Sequence, residues 1–201
     1  RYSMKLVLAT QNPKKLKEMN EILSHLGVEV VSEAELGVRI EVEETGETFT
    51  DNARLKATAV MQATGLPAVA DDSGLCVDAL NGGPGVYSAR FGGEGLDDKG
   101  RYTLLLEMLR GQTDRAAHFH TSIVCAFPNG DELVCEGECP GTIAFAPMGE
   151  GGFGYDPVFF VPELRKTFGQ LTAEEKASVS HRGKALRAFA VALDDYLKGN
   201  E

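Results

Sequence analysis

Tryptophan is absent, cysteine occurs four times in 201 residues, and basic side chains number 20 against 30 acidic ones. The last two shortages each exclude something. The cysteines, at positions 76, 125, 135 and 139, form no C-x-x-C pair, so neither a disulfide framework nor a zinc ribbon is expected. A formal net charge of −10 argues against sequence-independent binding to long nucleic acid or to an anionic membrane. A small phosphate-rich ligand is still compatible with that charge if local lysines and a divalent cation reverse the field at one place. No apolar run approaches the roughly 18 residues needed to span a bilayer, and residues 6–9 are too few for a signal-peptide core. The expectation is a cytoplasmic protein.

What remains is an ordinary folded composition, 43% hydrophobic and 25% charged, of a length suited to one domain that is at most bilobed. Arg1, Tyr2 and Ser3 precede Met4 and read as an expression remnant, which leaves 4–201 as the expected domain. A β-rich run at 5–9 leads to Asn12 and Pro13, a helix cap followed by a first-turn proline. Leu16, Met19, Leu23 and Leu26 then recur at helical spacing up to Gly27, ahead of a second strand at 28–31. Residues 48–64 predict a helix closing at Gly65, and 68–70 a third strand. The spacing predicts a further helix over 97–109, with Leu104, Leu105, Met108 and Leu109 on its apolar side. A hairpin is expected from strands at 118–127 and 132–139, followed by strands at 142–145 and 158–161. Thr172 and Glu175 form a capping box ahead of a final helical region whose apolar face carries Leu186, Phe189, Ala190, Leu193 and Leu197. The sum is an α/β fold with a mixed sheet.

Several constellations could carry chemistry. Thr10, Gln11, Asn12, Pro13, Lys14 and Lys15 occupy a strand-to-helix turn, where free amides and the positive helix end favour phosphate. A capped helix with solvated lysines would look the same. Asp71 and Asp72 stand at the expected exit of the third strand, with Glu43 and Glu44 in an earlier loop. Carboxylates so placed suit Mg²⁺, a hard ion that keeps several waters, although aspartates bonding their own turn would fit as well. Asn52 and Lys56 share a helix face. In the run from Gly149 to Asp156, Phe153 and Tyr155 offer two rings that could stack on a base, or could simply be core aromatics beside a tight turn. His181 and Arg182 open the last helix, an unfavourable place for a cation unless it serves another purpose. His118 and His120 share a strand face, but no third soft ligand has matching spacing.

Taken together, T-x-N-x-x-K at 10–15, E-E-T-G at 43–46, A-D-D-S-G at 70–74, G-x-P-G-x-Y-S-A-R at 82–90, G-G-F-G-Y-D at 151–156 and S-H-R-G at 180–183 resemble one family. It is the inosine/xanthosine triphosphate pyrophosphatase family, the RdgB-like house-cleaning enzymes, and the resemblance runs from Met4 through essentially the whole chain. It implies an elongated mixed β-sheet flanked by helices, in two lobes with an active-site cleft between them, usually dimeric. It also implies Mg²⁺-dependent hydrolysis of ITP, dITP and XTP to the monophosphate and pyrophosphate. By motif, Thr10, Gln11, Asn12, Pro13, Lys14 and Lys15 would grip the triphosphate, and Glu44 and Asp72 would hold the metal. Asp72 would also accept a proton, with Lys56 as its catalytic companion. Asn52, Ser73 and Lys176 would contact substrate, while Phe153, Gly154, Tyr155, Asp156, His181 and Arg182 would form the base pocket. A non-enzymatic nucleotide-binding module and a Maf-like pyrophosphatase of other base preference are the alternatives.

Overall fold

Alternation along β1 (Met4–Leu8) sets the plan of the first half of the molecule. Leu6 and Leu8 face one side of the sheet and Val7 the other, and all three are buried, so β1 is covered on both faces. The computed structural model describes residues 3–200; Arg1 and Tyr2 of the expected remnant lie outside them, as does Glu201. β2 (Val28–Ser32) and β3 (Ala68–Val77) pair in parallel with β1. β4 (Gly83–Pro84) runs antiparallel beside β3. β5 (Ala116–Ala126), β6 (Glu132–Ile143), β7 (Phe159–Val161) and β8 (Lys166–Thr167) complete an eight-stranded mixed sheet in the order β2-β1-β3-β5-β6-β7-β8. The helices are α1 (Pro13–Leu23), α2 (Phe49–Thr64), α3 (Asp98–Met108), α4 (Ala173–Val179) and α5 (His181–Gly199).

The chain divides into two units, one of residues 1–72, 121–137 and 184–201, the other of 73–120 and 138–183. In the first, Met19 and Leu23 of α1 and Leu186, Phe189 and Leu193 of α5 pack on Leu6, Leu8, Val69, Ile123 and Cys125. The opposite face takes α2, whose Ala53, Ala57 and Val60 meet Val7, Ala68, Ala70 and Val124. Alanine on both sides of that contact lets the helix lie close to the strands, which matters because α2 carries Asn52 and Lys56. The α2 ends are as expected: the Thr48 hydroxyl accepts from the Asp51 amide, and Gly65 closes the helix at φ +70°. In the second unit Leu105 and Leu109 pack with Leu75, Val77, Phe119, Ile143, Val158 and Phe168. There the Phe119 ring lies 4.5 Å from Phe159 and 5.4 Å from Phe168.

Four expectations need correction. β3 does not end at residue 70 but continues to Val77, so Asp71 and Asp72 sit inside a strand rather than at its exit. The strands expected at 132–139 and 142–145 are a single strand, β6, and Phe145 lies beyond it, exposed. Gly27 caps a short 3-10 turn, Ser24–Leu26, that follows α1, rather than α1 itself. Met108 is exposed instead of contributing to the buried side of α3. The end of the chain is as expected, with α4 behind the Thr172 and Glu175 capping box and α5 opening at His181.

Candidate active site

In the first unit, β1 delivers Thr10 to the start of α1. The Thr10 hydroxyl accepts from the Asn12 amide at 3.1 Å, and Asn12 Oδ1 accepts from the Lys14 amide at 2.9 Å, so Asn12 is the helix cap the sequence predicts. Lys15 reaches across to β3, its Nζ 3.3 Å from both carboxylate oxygens of Asp71, which is nearly buried. Gln11 turns the other way and donates to Glu33 Oε2 at 3.3 Å. A pocket lined in part by Ala9, Thr10, Gln11, Glu33 and Lys56 opens beside this loop.

The acidic side is organised by α2. Lys56 Nζ lies 3.1 Å from Glu44 Oε1 and donates to the Asp71 main-chain carbonyl at 2.6 Å. Asn52, fully buried, donates to Asp72 Oδ2 at 3.2 Å and accepts the Gly46 amide at 2.8 Å. The glycine of E-E-T-G is required by that approach, since a Cβ at Gly46 would stand 2.6 Å from Asp51 Cβ and 2.8 Å from Asn52 Oδ1. Burial pushes the Asp72 carboxyl up to about 6, with the charges of Glu44 and Asp71 adding to it and Lys56 and Asn52 opposing. Each aspartate is met by a side chain distant in sequence, Asp71 by Lys15 and Asp72 by Asn52. A carboxylate that resists ionisation beside a second carboxylate is an excess of negative charge that a hard dication would relieve, and Glu44 with Asp72 supply the oxygen donors Mg²⁺ prefers.

In the second unit, Asp156 is the organiser. It is buried, its Oδ2 accepts from Lys176 Nζ at 2.6 Å and from the Phe153 amide at 3.0 Å, and burial raises its carboxyl above the ordinary range against the pull of Lys176. Gly152 adopts φ +74°, and a Cβ there would run into Asp156 Oδ2. The turn therefore presents Phe153, which is 72% exposed and carries Lys176 Nζ 4.6 Å from its ring centroid. Tyr155, the other ring expected to be available, is buried instead, with its hydroxyl donating to the Ser88 carbonyl at 2.6 Å. The Gly154 amide donates to Asp98. His181 stacks on Phe119, centroids 4.7 Å apart and planes 15° from parallel, and Arg182 follows it in the first turn of α5. Ser73 is exposed on β3.

Sequence reasoning missed the residues that hold this frame. Ser88 Oγ accepts the Leu75 amide and donates to the Gly85 carbonyl, so the Y-S-A-R motif supports β3. Buried Arg115 donates to the carbonyls of Leu109, Ile143 and Ala144. Glu33 accepts the Ile40 amide as well as Gln11. Only Ser88 lay in a motif; a lone Arg or Glu gives no local signal of the distant backbone it will satisfy.

The geometry has counterparts among known proteins. A dITP/XTP pyrophosphatase of Exiguobacterium is 50% identical over 196 residues, 98% of this chain and all of that protein. One of Thermus thermophilus is 53% identical over 194 residues, covering 96% and 93% of the two chains. A HAM1 protein structure from Coxiella burnetii superposes with a TM-score of 0.92 at 43% identity, over 96% of this chain and 99% of that one. The dITP/XTP pyrophosphatase structure from Mycobacterium abscessus gives 0.81 at 47%, over 92% and 98%. The Ham1 family model matches residues 6–192, a span that takes in every motif residue described above, and the chain belongs to the Ham1 family.

Proposed function

We propose that the chain hydrolyses the non-standard purine nucleoside triphosphates dITP, ITP and XTP to the monophosphate and pyrophosphate, with Mg²⁺ as cofactor. Relatives bearing the name dITP/XTP pyrophosphatase at 50% identity and above support the substrate class. The observation that carries the chemistry is the grouping of Glu44, Lys56 and Asp72, with the Asp72 carboxyl poised near 6. Mg²⁺ held by Glu44 and Asp72 would neutralise charge that develops on the departing pyrophosphate. Asp72 accepts the proton of the attacking water, and the burial that pushes its metal-free carboxyl up to about 6 favours both uptake of a cation and uptake of that proton. Lys56 balances the two carboxylates, and its bond to the Asp71 carbonyl fixes where its charge lies. A non-enzymatic nucleotide binder would have no use for this group.

In this reading Thr10 to Lys15 take the triphosphate, with Lys15 exchanging part of its contact with Asp71 for phosphate oxygens. Asn52 acts by orienting Asp72, and Ser73 contacts substrate. The base falls to residues of the second unit. Phe153 offers the exposed ring, Lys176 and Asp156 hold its turn, and Gly154 and Tyr155 shape that turn from behind. His181 and Arg182 provide donors for the six-oxygen of hypoxanthine or xanthine, where adenine presents an amino group. The function therefore needs residues 4–201 as one working domain. We propose further that it acts as a cytoplasmic homodimer on free nucleotides; among the described residues no helix is long and apolar enough to cross a membrane. Incubation with ITP, dITP, XTP, ATP and GTP, with and without Mg²⁺, tests the reading. Pyrophosphate formed from the first three only with the metal is the expected result, and orthophosphate as the direct product contradicts it.

A further inference from the structure

The second unit carries a group of side chains that this chemistry does not use. Along β5, Ala117 and Phe119 turn into the core, so His118 and His120 project from the opposite face of the sheet. On the adjacent strand, β6, Cys139 is buried and its neighbour Glu138 points outward. The strand register thus supplies the third ligand that spacing along the sequence did not. His120 Nδ1 lies 3.0 Å and His118 Nε2 3.9 Å from the same Glu138 oxygen, Oε1, and the ligand atoms of all three lie within 4.8 Å of one another. We propose that His118, His120 and Glu138 form a binding site for a borderline-soft divalent cation of the Zn²⁺ type, separate in composition and preference from the all-oxygen pair Glu44 and Asp72.

Three observations support this. First, bonds of about 2.0–2.1 Å to a tetrahedral ion place ligand atoms about 3.4 Å apart, midway between the two separations seen, so small side-chain adjustments close the site. Second, two imidazole nitrogens with one carboxylate oxygen is a donor set that suits Zn²⁺ and its first-row neighbours and is too nitrogen-rich for Mg²⁺. Third, the ligands come from two adjacent strands of a paired sheet, a rigid base, while side-chain exposures of 33% for His118, 15% for His120 and 57% for Glu138 leave an approach from solvent. Both imidazoles would ligate in the neutral form, with the His120 proton on Nε2 rather than Nδ1. Three protein ligands leave a position for water.

The test uses the full chain in excess Mg²⁺, so that the oxygen site is occupied, with Zn²⁺ titrated against a chromophoric chelator. One equivalent should bind, and His118→Asn, His120→Asn and Glu138→Gln should each weaken it about tenfold or more. Unaltered Zn²⁺ affinity in both histidine variants would overturn the proposal. Should either variant fail to fold, nitrogen-detected imidazole spectra of the unmodified protein decide the matter. Zn²⁺ should move the ring signals of His118 and His120 and leave those of exposed His25 in place, whereas unmoved His118 and His120 signals at saturation overturn it.

Discussion

Asn52 donates from Nδ2 to Asp72 Oδ2 across 3.2 Å while its Oδ1 takes the Gly46 amide, so one buried side chain ties the loop that follows Glu44 to the strand that carries Asp72. Replacing Asp72 by asparagine keeps an oxygen in the same place to accept from Asn52. The fold should therefore survive, and turnover should fall on the order of 100-fold or more, because the amide takes no proton and binds a cation weakly. Stability should move the other way. Asp72 is raised from 3.8 to about 6 in the folded protein, so relative to low pH the native state loses stability as pH rises from about 4 through about 6. In the absence of divalent metal, Asp72→Asn removes that loss and should be about 1–2 kcal/mol more stable than the parent at pH 8, and no more stable at pH 3.5. Thermal melts at the two pH values with parallel turnover assays check both halves.

Lys15 is shared between roles. Lys15→Ala removes the cation 3.3 Å from Asp71 and the charge assigned to the phosphate tail, so melting temperature should fall and the Michaelis constant for ITP should rise about tenfold. The inhibition constant of the monophosphate should rise much less. Equal weakening of both, measured on folded variant, would place Lys15 away from the tail.

Asp156 should prove costly to orphan and cheap to neutralise. Lys176→Met leaves its buried carboxyl without the ammonium now 2.6 Å away and should destabilise the protein by about 3–5 kcal/mol at pH 8. The deficit should shrink at pH 5, because a buried carboxyl stripped of its cation takes up a proton as pH falls. Asp156→Asn combined with Lys176→Met should recover part of the loss. Denaturant titrations of the parent and the two variants give the comparison.

Arg182→Ala removes guanidinium donors assigned to the six-oxygen. ITP hydrolysis should lose about 1–3 kcal/mol of transition-state binding, while the low activity on ATP changes far less. Kinetics on both substrates, for a variant with parental thermal stability, test this. An unchanged ITP to ATP preference would remove Arg182 from base selection.

Local signals were legible wherever the chain answers to its own neighbours. Thr48 and Gly65 bound α2 and the Thr172 and Glu175 capping box opens α4, because each cap is settled within a few residues. D-D-S-G has turn composition, so the sequence alone predicts too short a β3. What keeps it extended lies elsewhere: Lys15 meets Asp71, Asn52 meets Asp72, and Ser88 takes the Leu75 amide. Likewise Pro140 and Gly141 looked like a break in β6, yet Gly141 passes beside β7, where a Cβ would stand 2.5 Å from the Phe160 carbonyl. The motif residues were all visible in sequence. The division of labour within G-G-F-G-Y-D was not, because exposure of Phe153 and burial of Tyr155 depend on Ser88 and Lys176, far along the chain.

The most direct test of the central claim is where the oxygen of water goes. Hydrolysis of ITP in ¹⁸O-labelled water with Mg²⁺, followed by mass analysis of both products, should place the label in the monophosphate and none in the pyrophosphate, as attack at the α-phosphorus requires. Label in the pyrophosphate, or labelled orthophosphate as the first product, would contradict it.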